Sequence, residues 1–324
     1  MSDAAFEEVL SDVLAGTRRG AATLAGAELV PPWGLEMDPH AAVAVHVVLR
    51  GRAWLRLAAR GEPVALVSGD VVLLRAGVAH SLADALDSRV TPYRDALAAM
   101  PARLAALPAA RAHETTRVLC AKYMFQEPGV HPLLSLLPPL IHVPRGDADA
   151  RPQLRLLIEL LGHELAGGRG AGFVVPRLVD SLLVFVLRAW LEAQPLDVGG
   201  WFCALRDPAI VTALSLIHGR PEAPWSVESL ARRAGQSRAT FARRFVELVG
   251  ETPIAYVRRW RMCLAAKLLC ERDASLDELA ARVGYETGAA LSKAFRRVHG
   301  VAPGRYRERA ASGEPTRAAS PQAG

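Results

Sequence analysis

Apolar and polar positions alternate on a short period across residues 41 to 84. The runs VAVHVVLRGRAWLRLA and EPVALVSGDVVLLRAGVAHSLA are punctuated by Gly51, Gly61, Gly69 and Gly77, the pattern of short strands joined by tight turns. They predict the hairpins of a small sandwich or barrel. Strand-like sequence returns at RVLCAKYMF from Arg117, followed by HPLLSLLPPLIHVPRG. The Ala-, Pro- and Arg-rich stretch 95–117 between these blocks reads as a loose insertion that includes a helical turn.

From Gln153 the period becomes helical. QLRLLIELLGHELAG ends at Gly167-Gly168, and a second helix follows over roughly 173–193. The two form a helical hairpin whose apolar faces need cover, from the barrel or from a second subunit. The second helix is broken by Arg177, Asp180 and Arg188, which argues for burial in protein rather than in a membrane. Residues 194–206 read as a linker. Everything from Asp207 reads as short helices, and the Ala/Ser/Pro/Gly-rich end, 310–324, as a disordered tail.

The helical third contains the same object twice. SVESLARRAG (226–235) aligns with SLDELAARVG (275–284), and Phe245, Gly250, Pro253 and Tyr256 recur as Phe295, Gly300, Pro303 and Tyr306. A duplicated helix–turn–helix explains the recurrence. Ser226 and Ser275 cap the first helix of each copy, Gly235 and Gly284 end it, and Ser237 and Thr287 cap the next. Helical spacing turns Phe241, Phe245, Leu248 and Val249 inward in the first copy, and Leu291, Phe295 and Val298 in the second. The outward faces are then Arg238, Ala239, Ala242, Arg243 and Val246, and Gly288, Ala289, Ser292, Lys293 and Arg296. Small side chains allow close approach to base edges, and Arg or Lys reach guanine acceptors or phosphates. Between the copies, Thr252 and Pro253 open a helix of roughly 18 residues, a rod of about 27 Å. That length suits two recognition helices in successive major grooves on one face of double-stranded DNA.

Charge agrees. The chain of 324 residues carries a net charge of +6, and residues 207–309 hold 18 Lys/Arg against 11 Asp/Glu. The basic third faces a polyanion, and the rest is near neutral. The N-terminus, MSDAAFEEVLSD, lacks the form of a signal peptide. Cys120, Cys203, Cys263 and Cys270 show no paired spacing, which points to a reducing cytoplasm.

Residues 207–309 resemble the DNA-binding domain of AraC/XylS-type transcriptional regulators. The resemblance is carried by WSVESLA from Trp225, SRATFARRF from Ser237, G-x-T-P-x-x-Y from Gly250, WRM from Trp260, VGY from Val283 and FRRVHGVAPGRYR from Phe295. It implies base contacts from the second helix of each copy: Ala239, Ala242 and Arg243, then Gly288, Ala289 and Lys293. The second copy is small-faced and grips phosphates through Lys293, Arg296 and Arg297. The N-terminal region resembles the cupin-type sensing domain of one branch of the family, through HVVLRG from His46 and GDVVLLRAGVAH from Gly69, with Arg75 in place of the usual Pro. Its first block supplies only His46 of the usual metal ligands, so no catalytic metal centre is expected.

His46, His80 and Cys120 lie on strand-like segments that converge in a barrel. They suit Zn²⁺ or a similar metal, contact with an organic ligand, oxidant sensing at Cys120, or an ordinary half-buried core. His131 and His142 are weaker candidates. The expected architecture is therefore α+β: a cupin-like sensing barrel (1–150), a helical dimerisation hairpin and linker (151–206), an all-α tandem helix-turn-helix domain (207–309) and a tail. The expected function is a cytoplasmic, non-enzymatic, dimeric regulator. The resemblance implies activation through RNA polymerase under a small-molecule or redox effector, with the cofactor unknown. The alternative is a cupin-type metalloenzyme with an accessory DNA-binding domain.

Overall fold

The computed structural model describes residues 9, 12–13, 23–39, 42–58, 61–125, 137–149, 151–165, 169–193, 204–271 and 274–312. They fall into two compact units, one of residues 20–124 with 137–194, the other of 1–19 with 125–136 and 195–324. His131, Cys203, most of the expected linker and the tail beyond Ser312 lie outside the described residues.

In the first unit the alternating runs form β1 (Thr23–Leu29), β2 (Gly34–Met37), β3 (Ala42–Arg50), β4 (Arg52–Leu57), β5 (Val64–Val67), β6 (Val71–Leu74), β7 (His80–Ala83), β8 (Thr91–Pro92), β9 (Thr116–Met124) and β10 (Leu140–Val143). They make two five-stranded sheets, ordered β1-β9-β3-β6-β10 and β5-β4-β7-β2-β8. Pairing is antiparallel except between β2 and β8. Alternate side chains meet between the sheets: Ala44, Val48, Val72 and Val118 from one pack with Leu35, Leu55 and Leu82 of the other in a single core. Gly51, Gly69 and Gly77 all have positive φ, which fits their predicted place in turns.

Residues 95–117 depart from expectation. Helix α1 (Tyr93–Ala105) runs through Pro101, and a 3-10 turn (Ala109–Glu114) leads into β9. The Ala-, Leu- and Arg-rich sequence favours helix. Met100 is buried, and Tyr93, Ala96 and Leu97 pack on the barrel core. That burial outweighs the cost of an internal proline.

Helix α2 (Arg145–Asp149) precedes the hairpin of α3 (Pro152–Glu164) and α4 (Ala171–Ala193). Leu154, Leu157, Ile158 and Leu161 of α3 are buried, as are Val179, Leu182, Leu183, Val186 and Leu187 of α4. Both helices lie on the first sheet, α3 on β3 and α4 on β1 and β10. Val43, Val45 and Val47 are therefore buried too, although they alternate with the inward residues of β3. The Tyr123 hydroxyl donates to the Val179 carbonyl and ties β9 to α4. Among the described residues no helix is long and apolar enough to cross a membrane.

In the second unit the elements are α5 (Pro208–Gly219), α6 (Val227–Arg233), α7 (Arg238–Val249), α8 (Pro253–Glu271), α9 (Leu276–Arg282), α10 (Gly288–His299) and α11 (Pro303–Ser312). The last helix extends three residues past the expected domain end at 309.

Candidate nucleic-acid interface and sensing site

The duplication is visible bond by bond. Ser226 and Ser275 each close a capping box, the first reciprocated by Ser229 and the second by Glu278. At the turns, Gln236 N–H donates to the Ala231 carbonyl and Gly235 N–H to Arg232. Tyr285 N–H and Gly284 N–H repeat this with Ala280 and Ala281. These are Schellman closures, and φ is +69° at Gly235 and +76° at Gly284, as the left-handed position requires. Ser237 accepts from Thr240 N–H and Thr287 from Ala290 N–H, which starts α7 and α10 at equivalent points. Both helices stop at a left-handed glycine, Gly250 and Gly300.

Each copy is anchored by the same aromatic pair. Phe245 meets Tyr256 edge-on at 5.9 Å, and Phe295 meets Tyr306 edge-on at 5.2 Å. The inward residues step by four: Phe241, Phe245 and Val249, then Leu291, Phe295 and His299. His299 takes the place expected for Val298, which is exposed. Its ring lies 4.2 Å from Phe295 and 5.2 Å from Tyr306. Leu248 is half-buried.

On the outward face of α7, Arg238, Ala239, Arg243 and Val246 are exposed and Ala242 is half-buried. On α10, Ala289, Lys293, Arg296 and Arg297 are exposed and Ser292 is half-buried. Gly288 does not join them. It is buried against α9, where an added Cβ would lie 2.8 Å from the Leu276 Cβ, and its N–H donates to Asp277 Oδ1 at 2.6 Å. The glycine is a packing contact that lets α9 and α10 approach, rather than a surface for DNA.

Helix α8 is shared between the copies. Tyr256 near its start belongs to the first, while Met262, Ala265, Ala266 and Leu269 pack with Leu279, Leu291, Phe295 and Tyr306 in the core of the second. Its 19 residues span about 28 Å. Arg261 links both halves. Its Nε donates to the Pro221 carbonyl at 2.8 Å and Nη2 to Ala223 at 2.8 Å, both ahead of α6, while Nη1 donates to Gly284 at 3.0 Å. Burial holds its pKa below the usual arginine value. Arg244, next to the outward Arg243, instead pairs with Asp207, the residue that caps α5. Neither role was evident from charge patterning, since both residues sit in runs of arginines.

In the barrel, the three predicted residues come together. His46 and Cys120 are direct partners across β3 and β9, and His80 reaches them from β7 of the opposite sheet. His46 Nδ1 is 3.0 Å from Cys120 Sγ, and His46 Nε2 is 2.9 Å from His80 Nε2. His80 Nδ1 is 3.1 Å from the Val78 carbonyl. A carbonyl only accepts, so His80 Nδ1 carries the proton and its Nε2 accepts from His46. His46 Nδ1 then accepts from the thiol, and one set of tautomers satisfies all three contacts. His46 presents a different nitrogen to each neighbour, so a single ion cannot take all three donors in this arrangement. Both imidazoles are buried and Cys120 is half-buried. Burial pushes the Cys120 thiol up to about 12, against the opposing charge of Lys122. The thiol is thus protonated at rest. His142 is elsewhere, 3.2 Å from Asp70.

Two family models match the chain, one described as "Cupin" over residues 8–192 and one as "Helix-turn-helix domain" over 230–309. A "Putative AraC-like transcription regulator" of Streptomyces lividans is 33% identical over 304 residues, covering 94% of this chain and 97% of that protein. The "HTH-type transcriptional regulator AlkR" of Acinetobacter baylyi is 30% identical over 282 residues, 85% of this chain and 91% of that protein. Among solved structures, the DNA-binding domain of the global transcriptional factor AdpA in complex with a target DNA is 37% identical. It covers 34% of this chain and 99% of its own, with a TM-score of 0.31.

Proposed function

Because the chain belongs to the AraC-like transcription regulators, we propose that it activates transcription by reading two successive major grooves, one with α7 and one with α10. The observation that carries this is the pair of small and basic outward faces on α7 and α10, in two copies that share α8. Ala239 and Ala242 give α7 close approach, Arg243 reaches a guanine, and the exposed Val246 offers an apolar contact for a thymine methyl. Arg238 at its N-terminal end meets phosphate. On α10, Ala289 and Ser292 give close approach, and Lys293, Arg296 and Arg297 hold phosphates. Activation implies contact with RNA polymerase in the cytoplasm.

The barrel is the sensor. The chain from Cys120 through His46 to His80 is a polar thread in an apolar core, and a ligand's hydrogen-bonding head group entering there must replace one of its bonds. A resting thiol held near 12 places direct oxidation of Cys120 second to ligand contact. The hairpin dimerises: Leu156 and Leu160, one turn apart on α3, are 55% and 44% exposed and offer a second copy an apolar stripe. The role is regulatory rather than enzymatic, as the names of the relatives suggest.

The test is Arg243→Ala on a panel of single-base variants of a selected site. Loss of discrimination at one base pair, about 1–3 kcal/mol, is expected; equal weakening on every sequence would assign Arg243 to phosphate. For the sensor, His80→Gln and Cys120→Ser are expected to change transcription from the target promoter while leaving affinity for the selected site within about two-fold. Unchanged transcription in both would remove the thread from signalling.

A further inference from the structure

A cleft of about 600 Å³ lies outside the barrel, between the outer end of the first sheet and α3. Four of its twelve lining residues are arginines (Arg50, Arg117, Arg145 and Arg155), and Glu159 is the one carboxylate. Glu159 is engaged by Arg155 at 2.7 Å, one turn away on the same helix. Leu49 and Ile158 contribute an apolar floor.

One of these arginines, Arg117, is left without a carboxylate among the described residues. Arg50 and Arg117 stand directly opposite each other on β3 and β9, an arrangement that destabilises a sheet unless something neutralises it. Glu28, on the other side of Arg117 in the register, gives its carboxylate to Arg50 and Thr115 instead. Arg117 meets no carboxylate among the described residues. Its hydrogen bond, to the Gly162 carbonyl, is long at 3.4 Å. Arg145 is held at the cleft by its surroundings. The buried Asp70 accepts from the Arg145 backbone N–H at 2.6 Å and from Val67 N–H at 3.1 Å. Gly69 makes room for its stem: φ there is +98°, and an added Cβ would lie 2.9 Å from the Arg145 Cγ. Two separate features of one turn thus serve the seating of a single arginine.

We propose that this cleft binds a small organic anion with at least two negative charges, a phosphorylated or polycarboxylate metabolite, held by Arg117 and by Arg155, whose pair with Glu159 is open to solvent. Planar guanidinium groups match the paired oxygens of carboxylate and phosphate, and the apolar floor takes the carbon skeleton. The anion neutralises Arg117, which Glu28 leaves to itself by pairing with Arg50, and bridges the barrel strands to α3. Binding there therefore biases the packing of the hairpin on the barrel, independently of the His46–Cys120 thread.

The experiment is calorimetric titration of the full chain with pyrophosphate and with citrate, at ionic strength matched by sodium chloride. It is run on the wild type, Arg117→Gln, Arg155→Gln, Arg243→Ala and His46→Gln. The wild type is expected to bind at least one probe, and which one separates phosphate from polycarboxylate recognition. Arg117→Gln and Arg155→Gln are expected to weaken binding at least about ten-fold. Arg243→Ala, which alters the DNA-binding face, and His46→Gln, which breaks the barrel thread, are expected to leave it unchanged. Arg155 is exposed on a helix, so its variant remains informative if Arg117→Gln misfolds. Failure of the wild type to bind either probe, or equal affinity in Arg155→Gln, would overturn the site. Loss in Arg243→Ala would also overturn it, by assigning the binding to the DNA-facing surface.

Discussion

Replacing Arg261 by Met keeps most of the aliphatic stem and removes the guanidinium that joins the two helix-turn-helix copies. Three hydrogen bonds are lost, at 2.8, 3.0 and 2.8 Å. Hydrogen bonds from a charged donor contribute roughly 1.5–3 kcal/mol each when sheltered. Arg261 is half-buried, so solvent competes and about 1 kcal/mol each is the better figure. The Ala223 carbonyl also accepts from Trp225 N–H at 2.8 Å and is not left bare. The expected cost is therefore about 2–3 kcal/mol, a fall in melting midpoint of roughly 5–10 °C for a unit of this size. The functional effect follows from rigidity. Two readers on a stiff frame gain from each other through a high effective concentration, which falls when the link loosens. The assay compares affinity for a two-part site with affinity for the same site scrambled in one part. Arg261→Met is expected to retain single-part affinity and to lose about ten-fold of the gain from the second part. A variant less stable by the expected amount but with the full two-part gain would refute the reasoning. It would show that the packing of α8 alone sets the geometry.

Gly288→Ala forces a Cβ to 2.8 Å from Leu276 Cβ and 3.0 Å from its carbonyl carbon; a loss of about 1–3 kcal/mol in thermal or denaturant unfolding is expected. His218 is buried beside Trp260, with Nε2 2.7 Å from the Tyr256 hydroxyl and Nδ1 3.7 Å from Asp12, and burial lowers its pKa to about 3. Between pH 6.5 and 3 the unfolded chain takes up a proton at this position that the folded chain does not. Stability is thus expected to fall by about 2 kcal/mol from pH 6.5 to pH 5, and His218→Gln is expected to flatten that part of the profile. Cys270 is exposed, while the Cys120 and Cys263 thiols are pushed up to about 12 by burial. Thiol labelling at pH 7.5 is expected to modify Cys270 before Cys120, and Cys263 only on unfolding, as mass spectrometry of timed samples will show.

The repeated unit was legible in the sequence because each of its parts has a local cause. A serine cap, a glycine at a left-handed turn and an apolar step of four are each fixed by residues within one or two turns. The barrel strands were legible for the same reason, as β-rich runs punctuated by turn glycines, although the inward face of β3 was not, since both its faces are buried. What escaped depended on distant partners. Arg243 and Arg244 are adjacent, alike and both exposed, yet only Arg244 is bound to Asp207, 37 positions away. Gly288 passes for a small surface residue until Leu276 is placed beside it. The helix at 93–105 was hidden because its proline and its alternation of small and basic residues mimic a loop. Its reason for existing, the burial of Met100, lies in the barrel core. The arginine cleft was invisible because it joins strands and a helix up to 115 positions apart in the chain.

The most direct test of the central claim is selection of bound DNA by the full chain from a random pool at physiological salt. Enrichment of a two-part motif, its parts one helical turn apart, is the predicted result. Salt-sensitive binding that enriches no sequence would contradict it, reducing the paired faces of α7 and α10 to a grip on phosphate alone.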